Sequence, residues 1–324
     1  MNKELIEKLK PISLEEKHIL GGDNTVQKRL YTEGVRFVIE KEKMFAKGKL
    51  ISIRPSTRFI HFPEHTHNYI EIVYMCSGST CHIINGKTKI WLEAGDLLFL
   101  NQNARQEIMP AGEEDIAVNI MVLPEFFDRT FLMLQEEGVL AEFLIETLKN
   151  KKRMADYLHF SVKDVLPVQN LVENLVWSLI NDQPYKNNIN QTTMGLLFLE
   201  LQNHSHAINL SASEPYEQRL MFAALRYIED HYKEASLQEL STLLKRPDYW
   251  VSKLIKRHTR QTFKQLVQRR RLMQANYLLL NTTLSVEDII TVVGYDNSSY
   301  FHSLFKKEFG VTPKTHRGRN KKDQ

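Results

Sequence analysis

Cysteine is almost absent from this chain: 324 residues hold only Cys76 and Cys81. Two thiols are too few for a disulfide framework and lack the paired spacing of a zinc finger, so both read as small buried hydrophobes within strands. Long apolar runs are also missing. No stretch approaches the roughly 18 residues that a membrane span needs. The opening residues, MNKELIEKLKPISLEEKHIL, are charged throughout and contain no apolar segment of the secretory kind. A protein without a membrane partner, residing in the cytoplasm, is expected. At this length two domains are the better prior.

Charge of one sign is scarce only locally. The whole chain carries +4, but from Tyr216 onward there are 20 Lys and Arg against 11 Asp and Glu, a net of +9. The first 215 residues are mildly acidic, at −5. A basic C-terminal third on an acidic body points to a polyanionic partner for that third alone.

Residues 50–123 read as β structure. KLISIRP, NYIEIVYMC, TCHII, KTKIWL, DLLFL and DIAVNIMVL are short runs rich in branched and aromatic residues. Asn85-Gly86 and Gly95-Asp96 mark turns between them, the first suited to a two-residue hairpin. Many short strands joined by turns make a sandwich or a small barrel. From Pro124 the period lengthens to that of helices. Val168, Leu171, Leu175, Trp177 and Leu179 form an apolar stripe there. Residues 204–218 show no period and read as a linker, with His204 and His206 too isolated to hold a metal.

The last hundred residues contain a repeat. SLQELSTLL (236–244) aligns with SVEDIITVV (285–293), each opening with a serine followed three residues later by Glu239 or Asp288, a capping arrangement. A short turn and a second helix follow in both copies, YWVSKLIKRH (249–258) and SSYFHSLFKKEF (298–309). Helix, tight turn, helix, occurring twice, outlines two helix-turn-helix units. Gly294 supplies a left-handed turn position, and Pro247 is expected at the first helical position. Trp250, Val251, Leu254 and Ile255 are expected to be buried in the first unit, and Tyr300, Phe301, Leu304 and Phe305 in the second. That leaves Tyr249, Ser252, Lys253 and Lys256, and Asn297, Ser298, Ser299, His302, Ser303 and Lys306, facing outward. Short polar side chains reach base edges and lysines reach phosphate, so these ten are the candidate DNA-binding residues. Of the three consecutive arginines, Arg271 is expected to brace the long connecting helix and Arg269 and Arg270 to be solvated.

The segment LSVEDIITVVGYDNSSYFHSLFKKEFGVTPKTHR resembles the C-terminal signature of the AraC/XylS family of transcriptional regulators. Gly294-Tyr295, Tyr300-Phe301, Phe305-Lys306, Phe309-Gly310, Thr312-Pro313 and Arg317 carry the resemblance, which covers residues 219–317. It implies seven helices, two helix-turn-helix units and a long joining helix, here FKQLVQRRRLMQANYLLLN. The first unit departs from the family pattern: Ser241 stands at an alanine, Lys245 at the turn glycine, Pro247 at the capping serine, Ile255 at a phenylalanine and Arg260 at a glycine.

HTHNYIEIVYMCSG (65–78) resembles the first motif of the cupins, whose metal enzymes take ligands at His-x-His-x3-Glu. The histidine that completes such a set is replaced by Gln106. His65, His67 and Glu71 share parity, and with Tyr74 they are the candidate effector-binding residues; Arg54 and Arg58 are secondary candidates for an anionic effector. No metal, cofactor or catalytic residue is assigned.

The expected architecture is α+β: a cupin-like effector-sensing β-barrel (1–123), a helical dimerisation region (124–205), a linker (206–217), an all-α DNA-binding domain with two helix-turn-helix units (218–317) and a basic tail (318–324). The expected function is sequence-specific, effector-responsive transcription regulation by a homodimer that binds promoter DNA, an unidentified small molecule and the transcription machinery. The alternatives are a metal-dependent cupin enzyme with an appended DNA-binding module, and an architectural DNA-binding protein without sequence preference.

Overall fold

A computed structural model describes residues 1–127, 156–181, 184–204, 208–209 and 216–320. The described residues up to 209 form one compact unit and those from 216 a second.

Two sheets make the first unit. One has the order β1 (Val38–Ile39), β3 (Phe62–His67), β8 (Gln106–Ile108), β5 (Ser79–Ile84), β6 (Thr88–Glu93). The other runs β11 (Ile208–Asn209), β10 (Tyr157–Phe160), β7 (Leu97–Leu100), β4 (Ile70–Ser77), β9 (Ile116–Val122), β2 (Ile51–Pro55). The burial pattern follows position in the sheet. At the end of its sheet, β6 alternates, with Thr88, Ile90 and Leu92 in and Lys89, Trp91 and Glu93 out. In mid-sheet, β4 lies between β7 and β9 and is buried from Ile70 through Cys76. Both sheets contribute to one core, Val73, Leu98 and Ala117 from the larger and Ile84, Ile90 and Leu92 from the smaller. Asn85 and Gly86 both have positive φ, +55° and +65°, in the turn between β5 and β6, as the sequence requires.

The N-terminal helices α1 (Lys3–Leu9), α2 (Leu14–Leu20) and α3 (Lys41–Met44) belong to the same unit. A capping box starts α2: Ser13 accepts from the Glu16 amide while the Glu16 carboxylate accepts from the Ser13 amide. The same carboxylate is locked to Arg58, whose Nε lies 2.8 Å from it with both side chains buried. Arg58 also donates to the carbonyls of Lys10 and Glu113. It is thus a structural clasp and not free for an effector.

Helices α4 (Leu166–Ile180) and α5 (Lys186–Asn203) pack against each other beside the sheets. On α4 the buried stripe is Val168, Val172, Leu175 and Val176, rotated from the predicted one. Trp177 stays on the surface, with the Lys8 ammonium 4.4 Å from its ring. The predicted helical stretch between Pro124 and residue 150 lies mostly outside the described residues. The predicted linker begins as structure: β11 pairs antiparallel with β10.

The second unit is helical: α6 (Tyr216–His231), α7 (Leu237–Leu244), α8 (Asp248–Thr259), α9 (Phe263–Asn281), α10 (Val286–Val292), α11 (Ser298–Phe309) and α12 (Pro313–Asn320). Each predicted helix is present, and α9 has its predicted bounds. The two caps differ. Ser285 accepts from the Asp288 amide at 3.0 Å as predicted. Ser236 makes no side-chain cap; instead the Tyr227 hydroxyl accepts from the Ser236 amide and donates to the Glu239 carboxylate, at 3.1 and 2.7 Å. Pro247 is the residue before α8 and not its first residue. Lys245 and Arg260 end α7 and α8 in the left-handed region, φ +52° and +59°, so the turn geometry survives without the family's glycines. Gly294 (φ +89°) has no such latitude, since a Cβ there would stand 2.5 Å from the Lys233 carbonyl oxygen.

Candidate nucleic-acid interface and ligand cavity

In the second unit, burial sorts the faces of α8 and α11. Val251, Leu254 and Ile255 anchor α8; Phe301 and Phe305 anchor α11 in a cluster with Leu272, Ala275, Ile289 and Val293. Tyr249, Lys253, Lys256, Asn297, Ser298, Ser299, Ser303 and Lys306 are exposed, and Ser252 and His302 are half-buried. The ten candidate DNA-binding residues therefore lie outside the core on the second helices of the two units. Three details differ from the sequence reading. Tyr300 is 42% exposed and not buried. Asn297 is engaged as the N-cap of α11, its side chain accepting from the Tyr300 amide at 2.9 Å. Trp250 is only half-buried, with the Arg246 guanidinium 5.7 Å from its ring.

The joining helix α9 ties the units together. Arg271 donates to the Tyr232 and Lys233 carbonyls at 2.8 and 2.5 Å and lies 5.2 Å from the Tyr295 ring. It braces the helix, as expected. Arg270 is not solvated: it pairs with Glu229 and sits 4.7 Å from the Tyr232 ring. Arg317 donates to the Leu279 carbonyl, securing α12 to α9.

Inside the first unit, β3 and β4 bring His65, His67 and Glu71 together although the strand is broken between them. The two imidazoles are 4.9 Å apart, and His67 Nε2 is 3.5 Å from Glu71 Oε2. Burial pushes His67 well below its ordinary pKa and raises Glu71 to about 7, so the imidazole is neutral and this contact is not an ion pair. His65 is held down to about 4 by burial, and its Nδ1–H donates to the Pro63 carbonyl at 2.8 Å. Tyr74 points elsewhere: its hydroxyl donates to Gln169 Oε1 of α4 at 2.7 Å. It lies on the opposite face of β4 from Glu71, since residues three apart in a strand diverge. Tyr74 is thus corrected from effector contact to an anchor between β4 and α4.

Around these residues lie further groups, of which only Gln106 was marked by a motif. Gln106 pairs in register with His65 across β3 and β8. Its amide nitrogen donates to His82 Nδ1, and His82 Nε2–H donates to Thr80, both at 2.9 Å. From the N-terminal segment come Tyr31, Ile39 and Met44, which line a cavity with Arg54, His65 and Glu71. Tyr31 accepts from Arg54 at 3.0 Å and donates to the Glu15 carboxylate at 2.6 Å. The cavity holds only about 20 Å³, room for a single water molecule. Among the described residues, both ring nitrogens of His67, Glu71 Oε2, Gln106 Oε1 and Glu15 Oε1 are buried without a hydrogen-bond partner. Also among the described residues, no three His, Cys, Asp or Glu side chains converge to hold a metal ion. No described helix is long and apolar enough to cross a membrane.

The profile of a helix-turn-helix domain family matches residues 240–319, and that of an AraC-like ligand binding domain matches residues 52–138. The chain is 23% identical over 256 residues to the HTH-type transcriptional activator RhaR of Shigella dysenteriae serotype 1 and of Escherichia coli strain K12, covering 78% of this chain and 86% of each relative. Among solved structures it is similar to an apo ToxT variant from Vibrio cholerae strain SCE256, with 16% identity over 82% of this chain and 96% of that one at a TM-score of 0.36. The C-terminal domain of AraT, a response regulator from Geobacillus stearothermophilus, is 31% identical over 34% of this chain and 88% of its own, at a TM-score of 0.29.

Proposed function

The chain belongs to the AraC family of transcriptional regulators, and from that premise we propose that it recognises a promoter through α8 and α11 and answers to a small polar effector held between its sheets. The observation that carries the DNA half is the repeated face: two helices, each second in its unit, each with its apolar side in the core and short polar and lysine side chains outside. Such a pair fits successive major-groove segments of one duplex. The candidate base-reading residues are Tyr249, Ser252, Asn297, Ser298, Ser299, His302 and Ser303; Lys253, Lys256 and Lys306 are assigned to phosphate.

The effector half rests on the partnerless buried polar atoms around His67 and Glu71. A neutral ligand rich in hydrogen-bonding groups would satisfy them, with Arg54, His65, His67 and Glu71 as its contacts. The cavity is too small for such a ligand as it stands, so entry requires Tyr31, Ile39 and Met44 to move. The effector then acts by binding the opened arrangement better than the closed one. A homodimer, contact with the transcription machinery and a cytoplasmic location complete the proposal. Protein purified without chelator is expected to carry no stoichiometric metal; a bound transition metal with turnover of a substrate would favour the cupin-enzyme reading instead.

The test of the function is selection of duplexes from a random library by the full chain. A recurring sequence with two motifs about one helical turn apart is expected. No enrichment would mean an architectural protein.

A further inference from the structure

Between the two helix-turn-helix units lies a cleft of about 370 Å³, lined by Lys264, Gln268 and Arg271 of α9 and by Asp296, Asn297 and Tyr300 at the start of α11. We infer that this cleft seats a phosphodiester of the DNA backbone, at the point where the duplex passes from one recognition helix to the other. The inference rests on the DNA-binding function proposed above and deepens it.

Position is the first reason. Helix α8 ends at Thr259, and only three residues separate it from Phe263 and Lys264 on the cleft wall. Helix α11 begins at Ser298, beside Asn297 on the opposite wall. The cleft is bracketed by the end of one recognition helix and the start of the other. Successive major-groove segments on one face of B-DNA are about 34 Å apart, separated by a minor groove and its two phosphate strands. A duplex that meets both helices must lay backbone across this gap.

Chemistry is the second reason. Lys264 is exposed and brings a mobile ammonium. Gln268 donates its amide to the Tyr300 hydroxyl, which aims that O–H away from the amide and leaves its proton available to an acceptor. The first turn of α11 adds the partial positive charge of a helix N-terminus. Arg271 adds charge from the cleft floor while its Nε and Nη2 remain committed to the Tyr232 and Lys233 carbonyls. One group opposes the rest: Asp296, exposed on the rim, repels a phosphate. Charge at this rim therefore sets affinity without reading sequence.

The opposite signs of Lys264 and Asp296 supply the test. Full-length protein is titrated onto its selected duplex and onto a scrambled duplex, over a salt series from about 50 to 200 mM. Lys264→Met is expected to weaken both complexes by about 3- to 10-fold and to make the slope of log affinity against log salt shallower by about one. Lys264→Arg keeps the wild-type slope. Asp296→Asn is expected to tighten both complexes by about 2- to 5-fold, a gain that misfolding cannot produce. A Lys264→Met protein with an unchanged salt slope, or one weakened on the selected duplex alone, overturns the phosphate seat. A wild-type chain that binds no duplex overturns the function itself and the seat with it.

Discussion

Burial holds His65 at about 4 and His82 at about 3, both below the ordinary histidine value of 6.5. The unfolded chain therefore takes up protons first as pH falls, and the stability these rings contribute is full above pH 6.5 and lost on the way down toward 4 and 3. A thermal midpoint that declines steadily below about pH 6 is expected, with a shallower decline in His82→Gln. Glu71 works in the opposite sense. Burial raises it to about 7 from an ordinary 4.5, so its contribution is full below 4.5 and is lost as pH rises through 7. Glu71→Gln is expected to raise the midpoint more at pH 8 than at pH 5, measured by calorimetry on the full chain. Equal changes at both values would mean that the carboxyl is not buried as described. The histidine pattern was legible in the sequence because parity alone groups His65, His67 and Glu71. Arg54, Tyr31 and His82 were harder to place, since they meet the site through tertiary packing across separate strands and an N-terminal segment. Tyr74 misled because it shares β4 with Glu71 but stands three residues along, which turns its side chain to the other face of the strand.

Local signals fixed most elements of the second unit, where helix periodicity and caps act over a few residues. The exceptions are informative. Lys245 and Arg260 adopt left-handed backbone conformations that glycine takes without penalty. Lys245→Gly and Arg260→Gly are each expected to stabilise the chain by about 0.5–1 kcal/mol in denaturant melts, the left-handed strain relieved less the extra entropy of an unfolded glycine. A loss of stability would show that these side chains hold the turns by contacts. The reverse substitution at Gly294 is severe: Gly294→Ala drives a Cβ into the Lys233 carbonyl and is expected to destabilise by more than about 2 kcal/mol. The Tyr227 clasp at α7 was not legible, because a tyrosine nine residues upstream displaces the serine from its capping role. Tyr227→Phe is expected to cost about 1 kcal/mol. In the first unit β10 escaped notice for a related reason: it pairs with β7 from 57 residues away along the chain, and register at that separation leaves no local trace.

At the scale of the molecule, charge asymmetry and the repeat pointed to a DNA-binding C-terminal third, and the fold gives that third a core of its own. On the proposed mode of binding, association is dominated by phosphate contacts. If the two units make six to ten of them, affinity is expected to fall about 10³- to 10⁵-fold between 50 and 200 mM salt. A nearly salt-independent complex would contradict that mode of binding. The most direct measurement is the affinity of the full chain for its selected duplex against a scrambled duplex of equal composition, at one physiological salt concentration. Two recognition helices reading bases require a preference of at least about 10³-fold, reduced by substitutions on either α8 or α11. Equal affinity for the two duplexes would contradict sequence reading by this pair of helices.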